Sequence, residues 1–347
     1  MQFTKTITSW YSVNKRSLPW RDTKNPYNIW LSEIILQQTQ VKQGLPYYYA
    51  FLKAFPSVFH LAEAQESDVL KLWQGLGYYS RARNLHAAAK YVVNDLNGTF
   101  PSNYKDLLKL KGVGDYTASA IASICFNENT AVVDGNVYRV LARYFGVNIP
   151  INTTKGVKYF KTLAQTLIDA KNPADYNQAI MEFGAIQCKP QSPNCNICPL
   201  NTSCEALAKN MVKTLPVKLK ANKVKKRYFN FLVFISEDGK TILEKRTGKG
   251  IWQNLYQFPL VETKQDADFD VFSEQLKTET LLKKQSFQLS LYNKDSIVHK
   301  LSHQHLYTKF WIVNVNKLPV KGVVFKDVKA YAVPVLIGNF IEAFQFK

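Results

Sequence analysis

CKPQSPNCNICPLNTSC, residues 188–204, gathers four of the chain's five cysteines into one short loop. No other stretch constrains the fold as tightly. Pro190, Pro193 and Pro199 keep it from becoming a helix, so it wraps whatever it holds as irregular backbone. Six residues separate Cys188 from Cys195, two separate Cys195 from Cys198, and five separate Cys198 from Cys204. Four thiolates suit either a tetrahedral zinc or an iron–sulfur cluster. Zinc ribbons usually pair two Cys-x-x-Cys knuckles and here there is one, but spacing alone leaves both metals open, with four free structural thiols as a third reading. Cys125, in the apolar stretch SAIASICF, reads as a small buried hydrophobe.

Charge narrows the partners. Lys and Arg total 45 against 26 Asp and Glu, a net charge of +19. That imbalance points to a polyanion, nucleic acid before membrane, because each paired phosphate releases counterions; a merely soluble basic surface is the plainer alternative. MQFTKTITSWYSVNKRSLPW lacks the apolar core of a signal peptide, and no run of ~20 apolar residues could span a bilayer. The expectation is a cytoplasmic protein, nucleoid-associated if bacterial, acting as a monomer. Thiols stay reduced there, so clustered cysteines read as metal ligands before disulfides.

At 347 residues two domains are expected. Residues 1–210 show helical periodicity. In SRARNLHAAAKYVVNDLNG (80–98), Leu85, Ala88, Ala89, Val92, Val93 and Leu96 recur at helical spacing, with Ser80 placed to cap the start and Gly98 the end. YFNFLVFI (228–235) and KFWIVNV (309–315) are β-branched and aromatic, and read as strands. Between them, VKTLPVKLKANKVKKR carries six Lys and one Arg. The expected organisation is a helical domain over 1–211, a basic linker over 212–227, and a mixed α/β domain over 228–347.

Three local patterns carry chemistry. In LLKLKGVGDYTASAIAS (107–123), Gly112, Val113 and Gly114 fall between two helical segments. Glycines there permit a tight turn whose amides, from Gly112 to Asp115, can face an anion at the next helix's N-terminus; an ordinary helix cap is the alternative. Glu33 sits inside the apolar helical run IWLSEIIL. Burial raises a carboxyl pKa, as a general acid near neutrality requires, although a buried ion pair with Arg21 would place a glutamate there equally well. Asp134, in TAVVDGNVYRVLARYFG, opens a helix and reads by itself as an N-cap. Together the two carboxylates offer a proton donor and an anion for a sugar cation, the logic of glycoside cleavage.

Seven segments in order resemble the adenine DNA glycosylases of the helix-hairpin-helix superfamily: LPWR (18–21), WLSEIILQQTQV (30–41), LWQGLGYYSRARNLH (72–86), KGVGDYTASAI (111–121), VDGNVYRVLAR (133–143), NQAIMEFGAIQC (177–188) and the cysteine loop. The resemblance implies an all-helical glycosylase domain and a [4Fe–4S] cluster, largely structural, on Cys188, Cys195, Cys198 and Cys204. It implies that Glu33 protonates adenine at N7 and that Asp134 stabilises or traps the oxocarbenium sugar, supported by Tyr116 and Asn136. Arg21, Leu36 and Gln178 fall where such enzymes line the adenine pocket, and Gln38 with Tyr78 or Tyr79 where they wedge into the duplex. A base must leave the stack to be cut, so a wedge and a pocket are physical requirements. Bifunctional endonuclease III-type relatives carry a lysine at the position of Tyr116; a lysine amine can form a Schiff base with the sugar and a tyrosine cannot.

The second half resembles the Nudix-like domain that inspects the base opposite adenine for 8-oxoguanine. Its glutamate-rich catalytic box is absent, so pyrophosphate cleavage is not expected. Ser302 and His303 are the expected readers, and Leu301 stands where the family commonly has Phe. Alternation predicts His299, His303 and His305 on one face of a strand, with a metal site there as a minor reading. The implied substrate is double-stranded DNA with adenine opposite 8-oxoguanine or guanine, and no membrane. An endonuclease III-like glycosylase/lyase for oxidised pyrimidines and a non-catalytic DNA-binding scaffold are the competing readings.

Overall fold

Asn25 begins the central helix of the first half. Its side-chain oxygen accepts from the amides of Tyr27 (2.9 Å) and Asn28 (3.4 Å), and Pro26 supplies a preset φ at the first helical position. The resulting helix Pro26–Leu36 is buried from Ile29 through Ile35 without a solvent face. A helix apolar all round must be enclosed by others, and this one packs against Asp115–Phe126, which in turn meets Pro173–Glu182. Ala118, Ser119, Ala120 and Ala122, all fully buried, let those helices approach closely. Asp115–Phe126 ends with Asn127 in the left-handed region, its amide donating to Ser123 O at 3.1 Å while Glu128 N reaches Ala122 O at 3.0 Å. The helix expected after Ser80 runs Ser80–Leu96, closed by Asn97 and Gly98 at positive φ.

The computed structural model describes residues 2–219, 224–277, 282 and 286–346. Its second half holds a mixed sheet of five strands: β1 (Lys225–Ser236), β2 (Leu260–Thr263), β3 (Gln288–Leu291), β4 (Ile297–Lys300) and β5 (Gln304–Val315). β1 and β5 run parallel from Lys225↔Gln304 to Ser236↔Val315, flanked by antiparallel β2 on one side and β3 and β4 on the other. Both faces are covered. Phe272 and Leu276 of helix Phe269–Leu276 pack on Leu232, Phe234, Trp311 and Val313. On the opposite face Phe231 stacks on Phe310 and Phe310 on Phe340 of helix Val335–Phe344, with centroids 5.5 and 4.0 Å apart. Coverage on two sides explains why YFNFLVFI is apolar almost without alternation. Its one interruption, buried Asn230, is bonded to Val261 O, Thr263 Oγ1 and Trp311 Nε1.

The chain divides into two units, Met1–Glu63 with Asn84–Lys220, and Ala64–Arg83 with Ala221–Lys347. Residues 64–83, which periodicity groups with the helical half, thus belong to the second unit. Of the basic stretch 212–227, residues 212–219 are tied down: Leu215 is buried, Val217 O accepts from Ile151 N at 3.0 Å, and Leu219 exchanges two bonds with Asn152. Residues 225–227 open β1, and 220–223 lie outside the described residues. No helix among the described residues is long and apolar enough to cross a membrane.

Candidate active site

Glu33 lies one turn from the end of Pro26–Leu36, 8% exposed. Burial pushes its carboxyl up to about 7, and the nearby Asp134 charge adds to the rise. Tyr116, from the first turn of Asp115–Phe126, opposes it: its hydroxyl lies 3.1 Å from Met181 Sδ and within hydrogen-bonding reach of Glu33, favouring the ionised form. Arg21 is not the partner of Glu33. It forks onto Glu182, with Nη1 to Oε1 at 3.1 Å and Nη2 to Oε2 at 2.8 Å, and Arg16 forks onto the same carboxylate at 2.8 and 2.6 Å. Burial acts to raise Glu182, but hydrogen bonds from the two arginines prevail and hold it at about 2. Two buried glutamates in one unit therefore occupy opposite states: Glu182 is fixed as an anion, while Glu33 titrates near neutrality.

Asp134 is an N-cap and more. Oδ1 accepts from the amides of Asn136 (2.9 Å) and Val137 (2.8 Å), opening Gly135–Tyr144, while Oδ2 accepts from Asn136 Nδ2 at 2.8 Å. Burial raises its pKa, against those hydrogen bonds and the Arg139 charge. Arg139 Nη2 donates to Asn136 Oδ1 (2.8 Å) and Gly184 O (2.7 Å), and its Nε to Cys188 O (2.7 Å). One guanidinium thus orients the asparagine that orients the aspartate. Gly184 sits in a π-helical turn, Phe183–Gln187, where a Cβ would lie 2.7 Å from Asn136 Cβ; only glycine lets the two segments meet so closely.

The expected pocket residues lie in the same unit. Tyr11 donates to Gln178 Oε1 at 3.3 Å and carries the Arg21 guanidinium 5.4 Å above its ring. Leu36 is half-buried; Gln38, next to the helix end, is exposed at φ 57°. In the hairpin turn Gly112 takes φ 83°, and a Cβ there would also meet Asn84 Cβ at 2.8 Å. The Val113 amide donates to Leu110 O at 3.0 Å, so it is not available to an anion as the sequence suggested. Gly114 is extended and precedes the helix at Asp115.

In the second unit, Tyr78 and Tyr79 separate. Tyr78 is 48% exposed, while Tyr79 is 6% exposed with its hydroxyl on Val333 O at 3.3 Å. Only Tyr78 presents a ring that could stack, and its hydroxyl pairs with Ser302 Oγ. Ser302 and His303 are exposed in the turn between β4 and β5, closed by Leu301 N to Gln304 O at 2.9 Å. That turn reverses the chain, so the three histidines do not share one strand face. His299 pairs with Leu306 and His305 with Lys300, while His303 is in the turn itself.

All four clustered cysteines line one cavity of about 30 Å³. Arg143 laces its wall: Nη1 donates to Lys189 O (2.7 Å) and contacts Cys188 Sγ (3.4 Å), Nη2 donates to Pro190 O (2.9 Å), and Nε donates to Leu215 O (3.1 Å). Among the described residues no three His, Cys, Asp or Glu side chains are placed to hold a metal ion. Sequence reasoning passed over Arg16, Glu182, Arg139 and Arg143. The last two had a signal: arginines four apart on the otherwise apolar face of VYRVLAR.

Residues 31–176 match the HhH-GPD superfamily of base excision DNA repair proteins, and residues 230–343 match the NUDIX domain. The adenine DNA glycosylase of Buchnera aphidicola subsp. Baizongia pistaciae is 38% identical, over 92% of this chain and 88% of its own length. The Homo sapiens adenine DNA glycosylase is 44% identical, over 59% of this chain and 39% of its own. A thermostable thymine-DNA glycosylase superposes with a TM-score of 0.56 at 33% identity, covering 60% of this chain and 96% of that structure. Endonuclease III in a non-covalent DNA complex shares the fold, with a TM-score of 0.53 at 21% identity over 60% of this chain and 95% of its own.

Proposed function

The chain belongs to the adenine DNA glycosylase family, and we propose that it hydrolyses the N-glycosidic bond of adenine mispaired with 8-oxoguanine or guanine in duplex DNA. The observation that carries this reading is the burial of Glu33 in an apolar helix near Tyr116 and Asp134, which raises its carboxyl pKa to about 7. A proton passed from Glu33 to adenine N7 makes the base a better leaving group. The C1′–N9 bond then breaks, its electron pair leaves with N9, and the sugar becomes an oxocarbenium ion. Asp134, a carboxylate held on two amides and Asn136, supplies the facing negative charge, and water adds at C1′ while its proton returns to the carboxylate that Glu33 became. Tyr116 cannot form a Schiff base, so the product is an intact strand with an abasic site. Arg21, Leu36 and Gln178 line the base pocket, and Gln38 enters the gap that the flipped base leaves.

The cysteine loop takes a [4Fe–4S] cluster on Cys188, Cys195, Cys198 and Cys204. In support, the four cysteines face one cavity, and their spacing resembles that of the family's cluster loop. When bound, the cluster supplies no step of base removal and braces the loop that Arg139 and Arg143 tie to the site.

Incubation with duplexes holding adenine opposite 8-oxoguanine, guanine or thymine tests the reading. Free adenine should appear from the first two, with strand breaks only after alkali. Strand scission without alkali, or release of the base from an added duplex that carries an oxidised pyrimidine while adenine stays in place, would transfer the chain to the lyase class, and tight binding without release would make it a scaffold.

A further inference from the structure

Residues 75–78 form a loop that local preference does not account for. Gly75, Gly77 and Tyr78 all take positive φ (103°, 72° and 47°), and a non-glycine residue held there persists only where its surroundings over-determine it. Part of that holding is local: Trp73 Nε1 donates to Gly77 O at 3.0 Å. The rest comes from far along the chain, within the same unit. Lys71 Nζ donates to Lys329 O (2.6 Å) and Tyr331 O (3.1 Å). Glu66 Oε1 accepts from Asn254 Nδ2 (2.7 Å), and Arg83 Nη1 donates to Gln253 O (2.9 Å). The receiving turn is itself unusual, with Trp252 and Asn254 at φ 60° and 66° on either side of the Gln253 carbonyl that Arg83 meets. Both ends of segment 64–83 are thus fastened, with the exposed Tyr78 between them against Ser302.

We propose that Lys71, Glu66 and Arg83 are positioning residues that fix segment 64–83 so that Tyr78 stands beside Ser302, and that they thereby set discrimination between 8-oxoguanine and guanine. This rests on the substrate reading above. The residues touch neither base; they act through Tyr78. Lys71 matters most, because its ammonium alone meets two main-chain carbonyls some 260 residues away.

The test uses the full chain with Lys71→Ala, Lys71→Arg and Asn254→Ala, each read in two ways. Amide hydrogen exchange across residues 74–79 reports the fastening without reference to substrate. The ratio of kcat/KM for adenine opposite 8-oxoguanine and opposite guanine reports discrimination. Lys71→Ala should speed exchange and lower the ratio, each by about tenfold, as loss of a charged hydrogen bond implies, with single-turnover excision at saturation unchanged. Lys71→Arg, which still donates to both carbonyls, should restore both. Asn254→Ala breaks the Glu66 contact from the other side and leaves every charge in place, so it gives the same reading if Lys71→Ala does not fold. Unchanged exchange overturns the fastening, and faster exchange with an unchanged ratio, or an equal loss on both duplexes, overturns the link to discrimination. A wild-type ratio of one would overturn the discrimination itself, whereas no release of adenine from either duplex would refute the substrate reading instead, and exchange would still judge the fastening.

Discussion

Glu33→Gln keeps the volume and one carbonyl of the side chain but can neither ionise nor deliver a proton, which makes two separate quantities measurable. The folded chain keeps the Glu33 proton up to about pH 7, whereas the unfolded chain releases it near the ordinary 4.5. Between those values the folded state binds the extra proton, so stability falls as pH rises and levels off above about 7. With the carboxyl moving from 4.5 to about 7, the fall is on the order of 3 kcal/mol at ~1.4 kcal/mol per unit. The glutamine variant lacks that slope. Urea unfolding of both proteins from pH 4.5 to 8 should therefore show the variant gaining on the wild type by about that amount, with most of the gain complete near pH 7. In the same variant, excision under single turnover should drop by at least ~10²–10⁴, the usual yield of positioned acid catalysis, while duplex affinity survives. Wild-type excision should itself decline as pH rises through about 7. Parallel stability curves would show that Glu33 is not held protonated, and near-normal excision by the variant would remove it from the chemistry.

Cys198→Ser should lower iron content and DNA affinity together; stoichiometric zinc in protein prepared without oxygen would refute the cluster. Borohydride should trap little covalent complex with the wild-type chain, since Tyr116 offers no amine, and efficient trapping would contradict that. Gly112→Ala should cost about 1–2 kcal/mol in unfolding free energy, from the positive φ and the crowding by Asn84; an unchanged Tm would show that the turn relaxes. Ser302→Ala with His303→Ala should reduce the preference for 8-oxoguanine over guanine and leave excision of bound adenine nearly unchanged, as paired kcat/KM measurements would report.

What the sequence made legible is what short range decides. Gly98 and Asp134 act within a turn of themselves, and the helix ends there fall where those residues predict. Burial of Glu33 was legible because its neighbours on every side are apolar. What pairs with what was not. Arg21 is only twelve residues from Glu33, yet its carboxylate is Glu182, and no periodicity announces a contact across 161 positions. The same limit hid the Arg139–Cys188 link and the membership of residues 64–83 in the second unit. Histidine alternation in HKLSHQH failed for a local reason: a turn interrupts the strand, and period-two reasoning holds only while the backbone stays extended.

The far-flung fastening of residues 64–83 has a temporal side. The segment is made within the first quarter of the chain, but its partners at 253, 254, 302, 329, 331 and 333 are made much later. At a translation rate of about 5–20 residues per second, the last of them follows roughly 10–50 seconds behind. Throughout that interval a nascent chain can complete most of its first unit while the Tyr78 loop has only its local bonds, such as Trp73 Nε1 to Gly77 O, to hold it. Ribosome-stalled chains ending before residue 250 should be clipped by protease around Gly75–Gly77, and released full-length chains should resist at the same bonds.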